Sequence, residues 1–124
     1  MTFANYQKTM EDTLLTFTGH DEQYIKTNQY DDAWVLSAER ASQCQYLVCC
    51  HSQGAHKGTA FCVGRVSQIQ AKNPEDAKTR YAICISEYAP IHLPNVWDGG
   101  QNPVRYVNLQ DLGIDPASLR FETL

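Results

Sequence analysis

The chain has 124 residues, of which 43% are hydrophobic and 19% charged, and its formal net charge is −4. This length predicts one domain whose core needs no disulfide or metal, and the composition excludes a disordered chain. A negative net charge argues against a nonspecific nucleic-acid binder, although one basic face could still contact phosphates.

The location of the protein is predicted from its apolar runs and its cysteines. No run approaches the roughly 20 apolar residues of a membrane span, and the start of the chain is acidic and lacks the apolar core of a secretory signal. We therefore expect a cytoplasmic protein with no membrane partner. An odd number of cysteines, mostly within apparent strands, indicates free structural thiols in a reducing compartment. These cysteines are Cys44, Cys49, Cys50, Cys62 and Cys84.

Residues 1–32 are predicted to form a helix and an acidic loop. Four apolar residues recur at intervals of three, four and four, the spacing of one helical face, which predicts a helix over about residues 3–16. These residues are Phe3, Tyr6, Met10 and Leu14. Residues 19–32 are polar, without a period, and are predicted to be a loop.

From residue 33 the hydrophobic period changes to two, which predicts short strands. The predicted strands cover residues 33–39, 45–53, 59–70, 80–88, 104–109 and 119–124. The second strand has apolar residues on both faces and should be central. Gly64, in the middle of the third, predicts a bulge or a bend of the kind found at barrel corners.

Turns and short helical segments separate these strands. Residues 54–58 and 72–78 are predicted turns, and capped helical turns are expected before Gly113 and from Asp115-Pro116. The whole pattern predicts a single α+β domain over residues 1–124. We expect a small, mostly antiparallel β-barrel over residues 33–124, together with an N-terminal helix and short helical turns.

Two of these strands carry a resemblance to a known family. The segments GTAFCVGRVSQIQ and RYAICISEYAPIHLP are similar to the central hairpin of the PUA-like β-barrel superfamily, which includes the ASCH and EVE groups. The resemblance spans roughly residues 33–110. It implies a PUA-like barrel with a cleft that binds RNA or a modified base.

The stretch PIHLPNVWDGGQNPVRY, residues 90–106, is the candidate ligand loop. In one interpretation Trp97 plugs an end of the core and Asn102 hydrogen-bonds the turn backbone. In the other, Trp97 stacks on a planar ligand with Arg105 beside it. We favour the structural interpretation and leave the second open.

The arginines are the candidate phosphate contacts. Arg65 and Arg80 are expected to flank one another if the third and fourth predicted strands pair as a hairpin, and guanidinium forks suit phosphates. Their alternative role is to pair with Glu87 or Glu39 on solvated strand faces. The predicted ligand-binding residues are thus Arg65, Arg80, Trp97, Asn102 and Arg105.

These residues predict a non-catalytic binding module for RNA or a nucleotide. A first alternative is a small protein-interaction or inhibitor protein, for instance one carried by a mobile element, that meets a basic partner through an acidic surface. Its acidic residues would be Glu11, Asp12, Asp21, Glu22, Asp31 and Asp32. A second alternative follows from the resemblance, because one ASCH subgroup is amidohydrolase-like and uses a lysine, a threonine and a glutamate, for which Lys57, Thr59 and Glu87 are the candidates.

No metal or other cofactor is expected. Cys49 and Cys50 are adjacent in a predicted strand, so their side chains point to opposite faces and do not readily bind one ion. Cys49 and His51 share a face, but the sequence shows no second pair of ligands at the spacing of a zinc site.

Overall fold

The computed structural model describes residues 11–73, 78–97, 99–100 and 102–124. Within these residues the chain forms strands, two short α-helices and two 3₁₀ turns, the turns at Leu109–Leu112 and Pro116–Ser118. The other elements, in chain order, are β1 (Thr13–Thr18), α1 (Glu22–Asn28), β2 (Tyr30–Trp34), α2 (Ala38–Ala41), β3 (Tyr46–His51), β4 (Ala60–Ala71), β5 (Tyr81–Leu93), β6 (Val104–Val107) and β7 (Glu122–Thr123).

The strands form one sheet that curls into half a barrel. Its order is β2-β5-β4-β3-β1-β6, and β7 pairs with β5 off this path. β1 and β3 run parallel, while the other pairings described are antiparallel, so the sheet is mixed. The expectation of an α+β, barrel-like domain is therefore confirmed. No helix of the described residues is long and apolar enough to cross a lipid bilayer.

The predictions for the first 32 residues are largely wrong. Residues 3–10 of the predicted helix lie outside the described part of the chain, but its last turn is strand β1, whose side chains are almost all buried. The segment TLLTFT is rich in β-branched and aromatic residues, and its pairing with β3 and β6 fixes it as a strand.

The predicted acidic loop over residues 19–32 contains both α1 and β2. Asp21 caps α1 by accepting a hydrogen bond from the backbone N–H of Tyr24, and Gln29 ends the helix in the left-handed conformation. Ile25 is the buried residue of α1. A single apolar residue is too little to give a helical period, so the pattern gave no sign of this helix.

The remaining predicted strands agree better with the observed ones. The predicted strand 33–39 is wrong beyond Trp34, because Ser37 caps the short helix α2. β3 is central as expected, with β1 on one side and β4 on the other. β5 is longer than predicted and continues through Pro90 to Leu93. Pro90 lies opposite Cys62, next to a register shift, where a missing backbone N–H is tolerated.

Gly64 lies at the predicted bend of β4. The pairing of β4 with β5 shifts register directly after it, between Arg65 and Val66. A Cβ atom at Gly64 would lie 2.6 Å from Cγ2 of Ile85. Glycine is favoured here because the side chain of Ile85 occupies the space that a Cβ would need.

The sheet separates two hydrophobic clusters. The inner cluster, inside the curl, takes alternate residues such as Leu14, Leu47 and Cys49. The outer cluster takes the residues between them, such as Leu15 and Val48, and is covered by the segments after β5 and after β6. Its main contributors from those segments are Trp97, Leu109 and Ile114. Both faces of the central strands are buried, as the apolar residues on both faces of β3 predict.

Candidate functional site

The five predicted ligand-binding residues do not form one site. Trp97 and Arg105 do contact each other, with the guanidinium carbon 4.7 Å from the centre of the indole ring. The indole also stacks on Phe17, with ring centres 4.5 Å apart and planes 5° from parallel. Trp97 is only 6% exposed. Its packing matches the interpretation in which it plugs the core.

Arg65 lies elsewhere on the same side of the sheet. Its Nε is 3.1 Å from a carboxylate oxygen of Glu87, as the alternative interpretation expected. Its guanidinium carbon is 4.3 Å from the ring centre of Phe121, and Nη1 donates to the hydroxyl of Tyr46 at 3.4 Å. Arg65 is thus held between two aromatic rings and a carboxylate.

Arg80 lies apart from both groups, and Asn102 belongs to the turn before β6. β4 and β5 do pair as a hairpin, but Arg65 lies opposite Glu87, whereas the carbonyl of Arg80 accepts from the N–H of Lys72. About 20 Å of strand separates Arg65 from Lys72, so the two arginines do not flank one another. The side-chain oxygen of Asn102 accepts from the N–H of Val104 at 3.3 Å, a turn contact as predicted.

A cleft of about 520 Å³ on the outer side of the sheet is lined by Tyr46, the residue whose hydroxyl accepts from Arg65. It opens between the start of β3 and the 3₁₀ turns that follow β6. The lining residues that carry hydrogen-bonding side chains are Asp12, Gln45, Tyr46, Gln110 and Asp115. We call this cleft the Tyr46 pocket, because Tyr46 joins it to Arg65.

Hydrogen bonds fix the acidic wall of the Tyr46 pocket. One oxygen of Asp12 accepts from the hydroxyl of Thr13 at 2.7 Å and from the N–H of Leu109 at 2.9 Å. Asp115 accepts from the N–H of Ala117. The charged residues that line the pocket are both acidic, so its interior favours ligand groups that donate hydrogen bonds.

This pocket was not predicted from the sequence. Its two walls come from Asp12 and Gln45 on one side and from Gln110 on the other, far apart in the chain. The helical turn ending at Gly113 was predicted and is confirmed as a 3₁₀ turn. Nothing in the sequence indicates, however, that Asp12 accepts from the start of that turn.

A second polar group lies inside the curl, around Asp31. This side chain is fully buried and accepts from the hydroxyls of Thr16 and Thr18 at 2.8 and 2.9 Å. Nδ1 of His20 is 3.1 Å from the same carboxylate, and the thiol of Cys49 donates at 3.7 Å. Four donors around one carboxylate satisfy a buried charge.

Most of the acidic side chains predicted to form a partner surface make contacts within the protein itself. Asp31 is buried, and the hydroxyl of Tyr24 donates to Asp32 at 2.7 Å. Glu11 pairs with Arg40 at 2.6 Å, and Asp21 caps α1. A basic partner could therefore meet only part of the six residues named for it.

The three residues of the predicted amidase site are not brought together. Lys57 and Thr59 lie in and after the turn before β4, and β5 carries Glu87. Glu87 lies opposite Arg65, and roughly 17 Å of strand separates Arg65 from the start of β4. The trio therefore cannot act on one substrate.

Histidines gather at the turn before β4. The ring of His51 stacks on Phe61 at 4.1 Å, and the ring centre of His56 lies 6.4 Å from His51 and 5.8 Å from His92. No group of three or more His, Cys, Asp or Glu residues in the described ranges is arranged to hold a metal ion. Burial raises the pKa of the Cys44 thiol to about 11 and that of Cys50 to about 12, so neither is an activated nucleophile.

The fold and its polar groups define a curled, mixed-sheet α+β domain. The chain matches no protein-family model, no curated protein and no solved structure.

Proposed function

We propose that this chain is a non-catalytic binding module that takes a nucleobase, from RNA or from a free nucleotide, into the Tyr46 pocket. The observation that carries the proposal is the pocket itself, about 520 Å³ in volume and bordered by side-chain amides and an aromatic residue. Small-ligand sites usually measure about 300–1,000 Å³. The volume therefore suits a base with its ribose.

The hydrogen-bonding groups of the pocket wall are complementary to the edge of a nucleobase. The amides of Gln45 and Gln110 each offer two donors and an acceptor, the combination by which proteins read the edges of unstacked bases. Both side chains are exposed, and neither amide forms a hydrogen bond with another residue of the described ranges. They are free to turn towards a ligand.

The charges of the pocket set the orientation of the ligand. Asp12 and Asp115 repel a phosphate from the interior, so the phosphate of a bound nucleotide lies outside. Arg65 contacts Tyr46, which lines the pocket, and an arginine fork suits phosphate oxygens. In this pose the base enters the pocket and the phosphate reaches Arg65.

The resemblance to PUA-like barrels belongs to this proposal. The hairpin that carries it is β4–β5, and β4 supplies Arg65 at the edge of the Tyr46 pocket. A PUA-like barrel with a base-binding cleft and a cytoplasmic location is therefore part of what the proposal expects. No catalytic step is included, because the three candidate amidase residues lie apart.

Calorimetric titration with nucleosides, nucleoside monophosphates and short single-stranded RNAs tests the proposal. Replacing Gln45 or Gln110 by alanine should weaken binding about five- to tenfold each, the effect of one lost hydrogen bond. Gln23→Ala, on the exposed face of α1, is the matched control and should leave affinity unchanged. Arg65→Gln should weaken the monophosphates and leave the nucleosides unaffected.

Two outcomes would overturn the proposal. The first is no binding of any nucleoside, nucleotide or RNA at millimolar concentration. The second is binding that the Gln23 variant weakens as much as the two pocket variants. Affinity for RNA should also fall as salt is raised, because each phosphate contact releases counterions.

A further inference from the structure

Asp31 joins two strands that are not neighbours in the sheet. β2 is an end strand, and β5, β4 and β3 lie between it and β1 along the sheet path. Nevertheless, Thr16 and Thr18 of β1 both donate hydrogen bonds to the carboxylate of Asp31 on β2. These hydrogen bonds therefore connect the two sides of the curl across its interior. We call Thr16, Thr18, His20 and Asp31 the Asp31 clasp.

The clasp is held together because the buried carboxylate of Asp31 needs the hydrogen bonds that its members supply. Asp31 is 0% exposed, and both threonines are buried as well. If one donor is removed, the buried carboxylate loses part of the hydrogen bonding that offsets its desolvation, and this is costly in an apolar interior. Because β2 lies at the end of the sheet path, separating it from β1 means breaking this group of bonds together.

His20 connects the clasp to solvent. Its Nδ1 lies 3.1 Å from Asp31 and 3.8 Å from Asp32, and its side chain is 31% exposed. The ring stacks on Tyr24 of α1 with 3.7 Å between centres. The charged and titratable groups that face it are Asp31 and Asp32 from β2, Asp21 from the cap of α1, and Tyr24.

We propose that the Asp31 clasp is a pH-sensitive latch, in which protonated His20 holds the carboxylate that keeps the curled sheet closed. A protonated imidazole adds a charge-assisted hydrogen bond to Asp31 and attraction to Asp32 and Asp21. A neutral imidazole keeps the hydrogen bond from Nδ1 and loses the charge. The clasp therefore weakens, without disappearing, when His20 loses its proton.

The direction of the pH dependence follows from the environment of His20. The hydrogen bond to Asp31 raises the pKa of His20 above its ordinary value of 6.5; partial burial opposes this shift, and the charges of Asp31, Asp32 and Asp21 add to it. A raised pKa in the folded state means that the stabilisation is complete below the unfolded value and is lost as pH rises through the folded value. The latch is thus tightest at mildly acidic pH and loosens under alkaline conditions.

Amide hydrogen exchange of the peptide that contains β2 measures the opening of the clasp. His20→Asn keeps a donor near the position of Nδ1 and cannot become charged. After correction for intrinsic exchange rates, β2 in the wild type should be protected about three- to tenfold more than in H20N at about pH 6. At about pH 9 the two proteins should exchange alike. His92→Asn, which alters an exposed histidine of β5, is the matched control and should match the wild type at both pH values.

A second pair of variants keeps the test decisive if His20→Asn folds poorly. Thr18→Val removes one hydroxyl donor at nearly constant volume, and its exchange in β2 should rise at both pH values because this donor does not titrate. Thr123→Val, on the exposed strand β7, controls for the substitution itself. The latch is overturned if wild type and H20N differ equally at both pH values, or if Thr18→Val leaves β2 protected while it loosens other strands.

Discussion

The guanidinium of Arg105 covers the indole of Trp97, at 4.7 Å from the ring centre, while Phe17 stacks on the same indole. A tryptophan in this position is part of the core, so we expect Trp97→Ala to destabilise the protein by about 3–5 kcal/mol. Arg105→Gln removes the cation alone and should cost less than about 1 kcal/mol. Urea unfolding followed by circular dichroism separates the two. A Trp97→Ala variant with an unchanged midpoint would show that the ring is not packed as described.

At Gly64 the addition of a single methyl group should lower the stability of the protein. Its Cβ would lie 2.6 Å from Cγ2 and 2.9 Å from Cδ1 of Ile85, so Gly64→Ala should cost about 1–3 kcal/mol through overpacking. Gly19→Ala is the control, since the nearest atom to its Cβ is Ser52 Oγ at an ordinary 3.7 Å. In an Ile85→Ala background the cost of Gly64→Ala should shrink, and equal costs in both backgrounds would contradict the contact.

His51 should titrate at lower pH than a free histidine. Burial against Phe61 and the nearby charge of His56 lower the pKa of His51, with Asp21 opposing them. Since the folded-state pKa is lowered, the neutral form is favoured by the fold, and stability falls as pH drops through the unfolded value of 6.5. This is the opposite direction to His20.

Nuclear magnetic resonance titration of the imidazole protons tests the prediction for His51. Its midpoint should lie below 6.5 and should rise towards it in His56→Ala, because one like charge is removed. His92→Ala is the control, since His92 contacts His56 rather than His51. An unshifted midpoint in the wild type would contradict the burial of His51.

The five cysteines should be unreactive in the folded protein. All five are buried, and burial raises the pKa of Cys84 as it does that of Cys44 and Cys50. Because the thiolate is the reactive form, labelling with a disulfide reagent should be slow in buffer and rapid in denaturant. Rapid labelling of any one cysteine under native conditions would locate a part of the core that opens easily.

The elements that were predicted from sequence are those whose own residues carry a clear pattern. β3, β4 and the start of β5 alternate along their length, and Gly64 and Gly113 mark a bend and a turn that both exist. The missed elements are short. α1 has one buried residue, and the strand character of β1 depends on its two neighbours in the sheet rather than on its own period.

The candidate site was predicted only in fragments. Trp97 and Arg105 lie together because the segment after β5 and β6 both pack on the outer cluster. Arg65 and Arg80 lie apart because the antiparallel register places them at different positions along the hairpin of β4 and β5. Local spacing cannot give this distance, since it depends on register.

The sequence by itself determined the class of the domain, the central strands, the free buried cysteines and the bend at Gly64, because each depends on the alternation or conformational freedom of neighbouring residues. Only the tertiary structure decided that β1 runs parallel to β3 and that Asp31 reaches Thr16 across the curl. It also placed Asp12 beside Gln110 in one pocket. These relationships join residues distant in the chain, and they exist only because the sheet curls and buries charges that must find their partners inside it.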